Sequence, residues 1–150
     1  MSTKLSNRLS EIIDALPLKK GIRILEIGCG TGAAAREIAN RIGDGYILAI
    51  DRSAKAIQIA TTGSKSEIAK GSLAFRQVSI EKFELEKGEK PFDLAFAIRV
   101  GALDGRHPEI EDQALRNIAK ALSKKGKLFI DGGDPLREIS LTTYRNGSKQ

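Results

Sequence analysis

Apolar positions recur along this chain with two alternating periods, and that alternation lays out a succession of helices and strands. Leu5, Leu9, Ile12, Ile13 and Leu16 repeat at three- and four-residue spacing and stop at Pro17, which predicts an amphipathic helix covering a sheet or closing over a ligand. From about Gly21 to Ile27 the pattern becomes a short, nearly continuous apolar run, the mark of a buried strand. Ala33-Ala34-Ala35-Arg36-Glu37-Ile38-Ala39 then opens a helix reaching about Ile42, and Gly43-Asp44-Gly45 turns the chain into a second strand, Tyr46 to Asp51. Ser53 is placed to cap a helix whose apolar members include Ala56, Ile57 and Ala60.

A polar linker around Thr61 to Lys65 leads into a short segment ending near Gly71, followed by a third strand from Leu73 to Val78. The fourth strand, Phe92 to Ile98, is nearly continuous in apolar residues, as expected of a parallel strand covered on both faces. A helix is predicted from Pro108 to Leu122, with Ile110, Leu115, Ile118, Ala119 and Leu122 inward, ended by Lys125-Gly126 before a fifth strand, Lys127 to Asp131. Strands alternating with helices predict an α/β fold, a doubly wound and mostly parallel sheet of five parallel strands. Beyond the fifth strand, Asp131-Gly132-Gly133-Asp134-Pro135 is rich in turn residues, and Ile139, Leu141 and Thr143 alternate with polar neighbours. Residues Arg137 to Tyr144 are therefore expected either to add one antiparallel edge strand beside the fifth or to remain an arm, with 145–150 a disordered tail.

A chain of 150 residues fits one domain, 1–150, with the N-terminal helix within 1–17. The net charge of +6 is scattered apart from the pairs Lys19-Lys20 and Lys124-Lys125, and there is no Trp, so a solvated surface is expected rather than a nucleic-acid groove. A single cysteine, Cys29, excludes an internal disulfide and a cysteine metal cluster, which suits a reducing cytoplasm. No apolar leader and no stretch of transmembrane length is present, so neither a membrane nor a metal is expected as a partner.

The chemistry concentrates at Ile24 to Gly32, Ile-Leu-Glu-Ile-Gly-Cys-Gly-Thr-Gly. A strand running into three alternating glycines, Gly28, Gly30 and Gly32, and then into a helix, lets a ligand approach the backbone more closely than a Cβ permits. Nineteen residues after Gly32, at the end of the second strand, Asp51 can accept hydrogen bonds from two vicinal ribose hydroxyls. The pair points to a nucleoside-containing ligand. Dinucleotide loops space their glycines as G-x-G-x-x-G, with a pyrophosphate on the helix N-terminus. In this chain the pattern is Glu-x-Gly-x-Gly-x-Gly, and Glu26 would repel a pyrophosphate but suits a cation.

The stretch resembles motif I of the class I, Rossmann-like, S-adenosylmethionine-dependent methyltransferases, whose cofactor carries a sulfonium and an ammonium. Lys90-Pro91-Phe92-Asp93-Leu94 and Leu115 to Leu128 are similar to that family's approach to the fourth strand and to its helix, lysine-glycine turn and fifth strand. The resemblance implies that Gly28, Gly30 and Gly32 pack against the methionine part, with Cys29 a small residue of the same loop and Glu26 helping to hold the ligand. It implies an adenine contact after the third strand, where Ser79 replaces the family's usual acid, Glu81 follows two positions on, and the Ile80 backbone can meet the adenine edge. Arg52 lies either along the adenine face or in solvent. Arg99, at the fourth strand's end, touches the cofactor, binds a substrate carboxylate, or pairs with Asp51 or Glu26. The family normally continues past the fifth strand with a helix and an antiparallel strand pair, whereas 20 residues follow Ile130, so the chain reads as shortened at its C-terminus. An exposed edge on the fifth strand would invite a homodimer or a hetero-partner.

Methyl transfer asks mainly for positioning, plus proton removal from a weakly nucleophilic acceptor. Asp104, His107 and Glu109 follow the fourth strand; His107, the only histidine, is either the base or a surface and capping residue ahead of Pro108. Methyltransferases acting on base amino groups usually show Asn/Asp-Pro-Pro-Tyr/Phe at this point. Ile98-Arg99-Val100-Gly101 stands there instead, which disfavours that substrate class. The expected function is methylation of a small-molecule acceptor. The alternative is a non-catalytic module that holds S-adenosylmethionine or a partner, and a nicotinamide-dependent enzyme is opposed by the glycine spacing.

Overall fold

The computed structural model describes residues 5–147, and six strands in it form one sheet. They are β1 (Arg23–Ile27), β2 (Tyr46–Asp51), β3 (Leu73–Gln77), β4 (Phe92–Ala97), β5 (Leu122–Asp131) and β6 (Leu136–Ile139), in the order β3-β2-β1-β4-β5-β6. The first five run parallel, and β6 is antiparallel to β5. Helices α1 (Asn7–Ala15), α2 (Ala33–Ala39), α3 (Ala54–Thr62), α4 (Lys65–Ala69), α5 (Pro108–Ala121) and α6 (Thr142–Gly147) complete the doubly wound α/β sheet expected from the sequence. Among the described residues no helix is long and apolar enough to cross a membrane.

Strand residues alternate between two cores, which explains why their sequences are apolar almost throughout. Leu25, Ile27, Leu48, Ile50, Ala95, Ala97, Leu128 and Ile130 pack in one core with Ala114, Leu115, Ile118 and Ala121 of α5. Ile24, Ile47, Ala49, Leu94 and Phe96 pack in the other with Ile13 and Leu16 from the α1 region and with Ala34, Ala35 and Ile38 of α2. Ser6 caps α1 by accepting from the Leu9 amide at 3.1 Å, and Ser53 caps α3 by accepting from the Ala56 amide at 3.1 Å.

Three boundaries depart from the sequence pattern. Helix α2 stops at Ala39, although Ile42 beyond it is fully buried. Helix α5 ends at Ala121, and the chain enters β5 at once, because Leu122 adopts extended angles and pairs with Phe92. The register then shifts, so that Leu94 pairs with Lys127, and Lys125-Gly126 is an irregularity within the strand rather than a helix stop. A Cβ on Gly126 would lie 2.9 Å from Leu122 Cβ and 3.1 Å from Phe92 O, so this position requires the smallest residue.

The C-terminal segment takes the edge-strand form. Ile139 faces Leu128, Arg137 faces Ile130 and Leu136 faces Asp131, so β6 covers the β5 edge that the sequence left open to a partner. The free edge on that side belongs to β6, four residues long and carrying Arg137 and Glu138, charges that discourage pairing. Leu141 is buried and α6 packs on α5, so 145–147 end a helix where a tail was expected; 148–150 lie outside the described residues.

Candidate functional site

Chain order reverses between β1 and β4, and in such sheets the crevice outside the carboxyl ends of the strands is where ligands bind. A cavity of about 280 Å³ opens there. Its walls come from Ile27 and Gly28 at the end of β1, Ile50 to Arg52 at the end of β2, Val78 to Glu81 after β3, and Arg99 to Ala102 after β4, with Arg106, His107 and Ile110 beyond.

The loop after β1 is bound to the end of β2. The amides of Gly28 and Cys29 both donate to Ile50 O, at 2.8 and 2.9 Å. The Gly30 amide donates to Asp51 Oδ2 at 2.9 Å, and the Ser53 amide donates to Asp51 Oδ1 at 2.9 Å. This fold of the loop needs positive φ at Gly28, Gly30 and Gly32, at 73°, 55° and 89°, a region that side chains penalise. A Cβ on Gly28 would stand 2.7 Å from Val100 Cγ2, whereas nothing lies within 4 Å of one on Gly30.

Glu26 sits behind this loop at 4% exposure, and its Oε1 has no hydrogen-bond partner. Burial, reinforced by the nearby Asp51 charge, pushes its carboxyl up to about 8. Cys29 is also buried, and burial together with Glu26 and Asp51 pushes its thiol far up, which opposes a thiolate there.

On the β3 side, Ser79, Ile80 and Glu81 all line the cavity, and Ile80 begins a 3-10 turn ending at Lys82. The turn is pinned by Asn117 of α5, whose Nδ2 donates to Ile80 O at 2.9 Å while its Oδ1 accepts from Gln113 Nε2 at 2.8 Å. Asn117 was not singled out from the sequence. Its signal is a polar residue within the apolar stripe formed by Ala114, Leu115, Ile118 and Ala121.

On the β4 side, Arg99 has a φ of +57°, its amide donates to Asp131 Oδ1 at 3.1 Å, and its carbonyl accepts from Arg106 Nη2 at 2.8 Å. Its side chain pairs with neither Asp51 nor Glu26. Asp131 in turn meets Arg8 of α1 at 3.1 Å, and Arg106 meets Asp104 at 2.8 Å. His107 precedes α5 without capping it through its side chain; the ring is 52% exposed, with Nδ1 3.5 Å from Glu109 Oε2. The cavity thus gathers Gly28, Asp51, Arg52, Ser79, Ile80, Arg99 and His107, while Glu26, Cys29, Gly30 and Gly32 are not among its lining residues.

A methyltransferase-domain family model matches residues 18–146. The chain belongs to that family. It is a member of the class I, Rossmann-like, S-adenosylmethionine-dependent methyltransferases. The domain is similar to an O-methyltransferase of Aspergillus nomiae, 32% identical over 134 residues, which cover 86% of this chain and 56% of the relative. It is also similar to a ribosomal protein L11 methyltransferase of Thermotoga neapolitana, 29% identical over 77% of this chain and 38% of the relative. The chain therefore spans roughly half, or less, of the length of these relatives. Among solved structures, an S-adenosylmethionine-dependent methyltransferase from Mesorhizobium loti shares the fold with a TM-score of 0.66 and 23% identity, over 83% of this chain and 53% of that one.

Proposed function

We propose that this methyltransferase-family domain binds S-adenosylmethionine at the β1–β4 crevice and methylates a small-molecule acceptor. The observation that carries the reading is the position of Asp51, at the cavity wall and simultaneously bonded to the glycine loop. Its oxygens each accept one backbone amide and keep a lone pair for the ribose hydroxyls. Two further features fit the cofactor: the unpartnered Glu26 Oε1 suits an ammonium, and Gly30 presents an open backbone face. Ser79 and the Ile80 backbone would meet the adenine edge, with Arg52 beside its face.

Bound there, the cofactor supplies an already activated methyl carbon. The chain's own part is to position the acceptor and to take its proton. His107 lines the cavity and can receive that proton, with Glu109 near its other nitrogen. Support for a small acceptor comes from the modest cavity and from a β4–α5 loop tied by Asp104 and Arg106. The L11 relative acts on a protein, so a protein acceptor is the nearest competitor. Ser79, lining the cavity where the family usually carries an acid, favours a second reading, a module that binds without turnover.

Calorimetric titration with S-adenosylmethionine, S-adenosylhomocysteine and a nicotinamide cofactor tests the donor. Release of S-adenosylhomocysteine across panels of small-molecule and peptide acceptors then tests catalysis. Binding without release in any panel supports the module, and no binding of either sulfur compound overturns both readings.

A further inference from the structure

Arg99 is the one non-glycine residue with positive φ among the described residues. Such backbones persist where the surroundings enforce them, and they concentrate at functional positions. Three segments enforce this one. Asp131 at the end of β5 takes the Arg99 amide at 3.1 Å, Arg8 of α1 fixes Asp131 at 3.1 Å, and Arg106 donates to the Arg99 carbonyl at 2.8 Å.

All of this holds the backbone, and none of it engages the guanidinium. That group stands exposed at the cavity without a hydrogen bond or ion pair among the described residues. The acids that could neutralise it are committed elsewhere. Asp131 is shared between Arg8 and the Arg99 amide, Asp104 is held by Arg106 at 2.8 Å, and Asp51 accepts the Gly30 and Ser53 amides. Glu81 also lines the cavity but forms no ion pair with Arg99. A strained backbone aimed at a cavity, carrying a planar five-donor fork left unpaired, is suited to grip an oxyanion in bidentate fashion.

We propose that Arg99 anchors an oxyanion, carboxylate or phosphate, on the methyl acceptor, an inference that rests on the function proposed above. The acceptor's apolar part would lie against Val100, Ala102 and Ile110, which line the same cavity.

The test uses Arg99→Gly, which relaxes the positive φ while removing the charge, and Arg99→Lys, which keeps the charge without the fork. Benzoate, phenyl phosphate and neutral benzamide are titrated into protein saturated with S-adenosylhomocysteine. The wild type is expected to bind one of the two anions about tenfold tighter than benzamide, and the better anion identifies carboxylate or phosphate. Arg99→Gly is expected to lose that preference with its melting temperature equal to or above wild type and its affinity for S-adenosylhomocysteine unchanged, and Arg99→Lys to keep part of it. The proposal is overturned if the wild type shows no preference, if Arg99→Gly keeps it, or if Arg99→Gly loses S-adenosylhomocysteine instead, which would assign the guanidinium to the donor. Should the wild type bind no S-adenosylhomocysteine, the proposed function fails, and the same anion titration on ligand-free protein decides Arg99 separately.

Discussion

Asp51 Oδ2 accepts a 2.9 Å hydrogen bond from the Gly30 amide, so the carboxylate that ends β2 also fixes the glycine loop that follows β1. One group thereby joins the two halves of the crevice. Its second oxygen closes the start of α3 through the Ser53 amide at 2.9 Å. Losing Asp51 should therefore affect both the loop and the ligand.

Asp51→Ala removes two charge-assisted hydrogen bonds within the protein and two offered to a ribose. Hydrogen bonds to charged groups contribute about 1.5–3 kcal/mol each, so affinity for S-adenosylhomocysteine is expected to fall about 100-fold or more. Stability should fall by about 3 kcal/mol, the lower end of the same scale for two bonds. Asp51→Asn, which keeps one acceptor oxygen, should lose less of both. Calorimetry and urea unfolding measure the two effects separately. Reduced stability with unchanged affinity would confine Asp51 to holding the loop.

Glu26 makes the ligand-free domain pH-dependent. Its carboxyl titrates at about 8 in the folded chain against 4.5 in the unfolded one, because burial and the Asp51 charge oppose ionisation. Between those values the folded state holds a proton that the unfolded state has released. Stability is therefore complete below the lower value and is lost as pH rises toward the upper one, by a few kcal/mol in all at about 1.4 kcal/mol per pKa unit. Unfolding measured at pH 5 and pH 8 should show that loss, and Glu26→Gln should flatten it. Binding of a ligand ammonium beside Glu26 should expel the proton, so titrations at pH 7 in buffers of different ionisation enthalpy should report release approaching one proton. Glu26→Gln should release none.

Elements governed by local sequence were legible before the structure. Strands β1, β2 and β4 are apolar on both faces because both faces are covered, and Ser53 capped α3 as its position implied. The turn made by the glycine loop was legible because alternating glycines between a strand and a helix mark positions of positive φ, and Asp51 because it closes the next strand. The start of β5 was not, since Lys125-Gly126 resembles a helix stop while Leu122 is drawn into the sheet by pairing with Phe92. Tertiary contact outweighed local turn chemistry there. The support of Arg99 was equally hidden, because Arg8 and Asp131 lie 123 residues apart and neither carries a local motif.

Asn117 offers a test of the wall after β3. Its Nδ2 donates to Ile80 O at 2.9 Å from the buried side of α5, and that bond anchors the 3-10 turn lining the cavity. Asn117→Ala leaves a buried carbonyl without its donor, a change costing about 1–3 kcal/mol. Amide hydrogen exchange should accelerate at Ile80 to Phe83 and stay unchanged in β1 and β2. S-adenosylhomocysteine should bind several-fold more weakly, the adenine contact being the part that loosens. Uniformly faster exchange would mean general destabilisation rather than loss of this anchor.

His107 can be tested without removing its imidazole. Its amide donates to Gly101 O at 3.1 Å, and its ring packs so closely that a Cβ on Gly101 would stand 2.5 Å from Cδ2. Gly101→Ala must therefore displace the ring. If His107 takes the acceptor proton, Gly101→Ala and His107→Gln should both lower kcat, the latter by about 10²- to 10⁴-fold, the usual contribution of a positioned base. Affinity for S-adenosylhomocysteine should hold in both variants, since neither change touches Asp51 or the glycine loop. The acceptor panel that reports turnover in the wild type provides the measurement. Turnover surviving in His107→Gln would show that His107 does not take the acceptor proton, leaving Glu81 in the cavity wall or water to receive it.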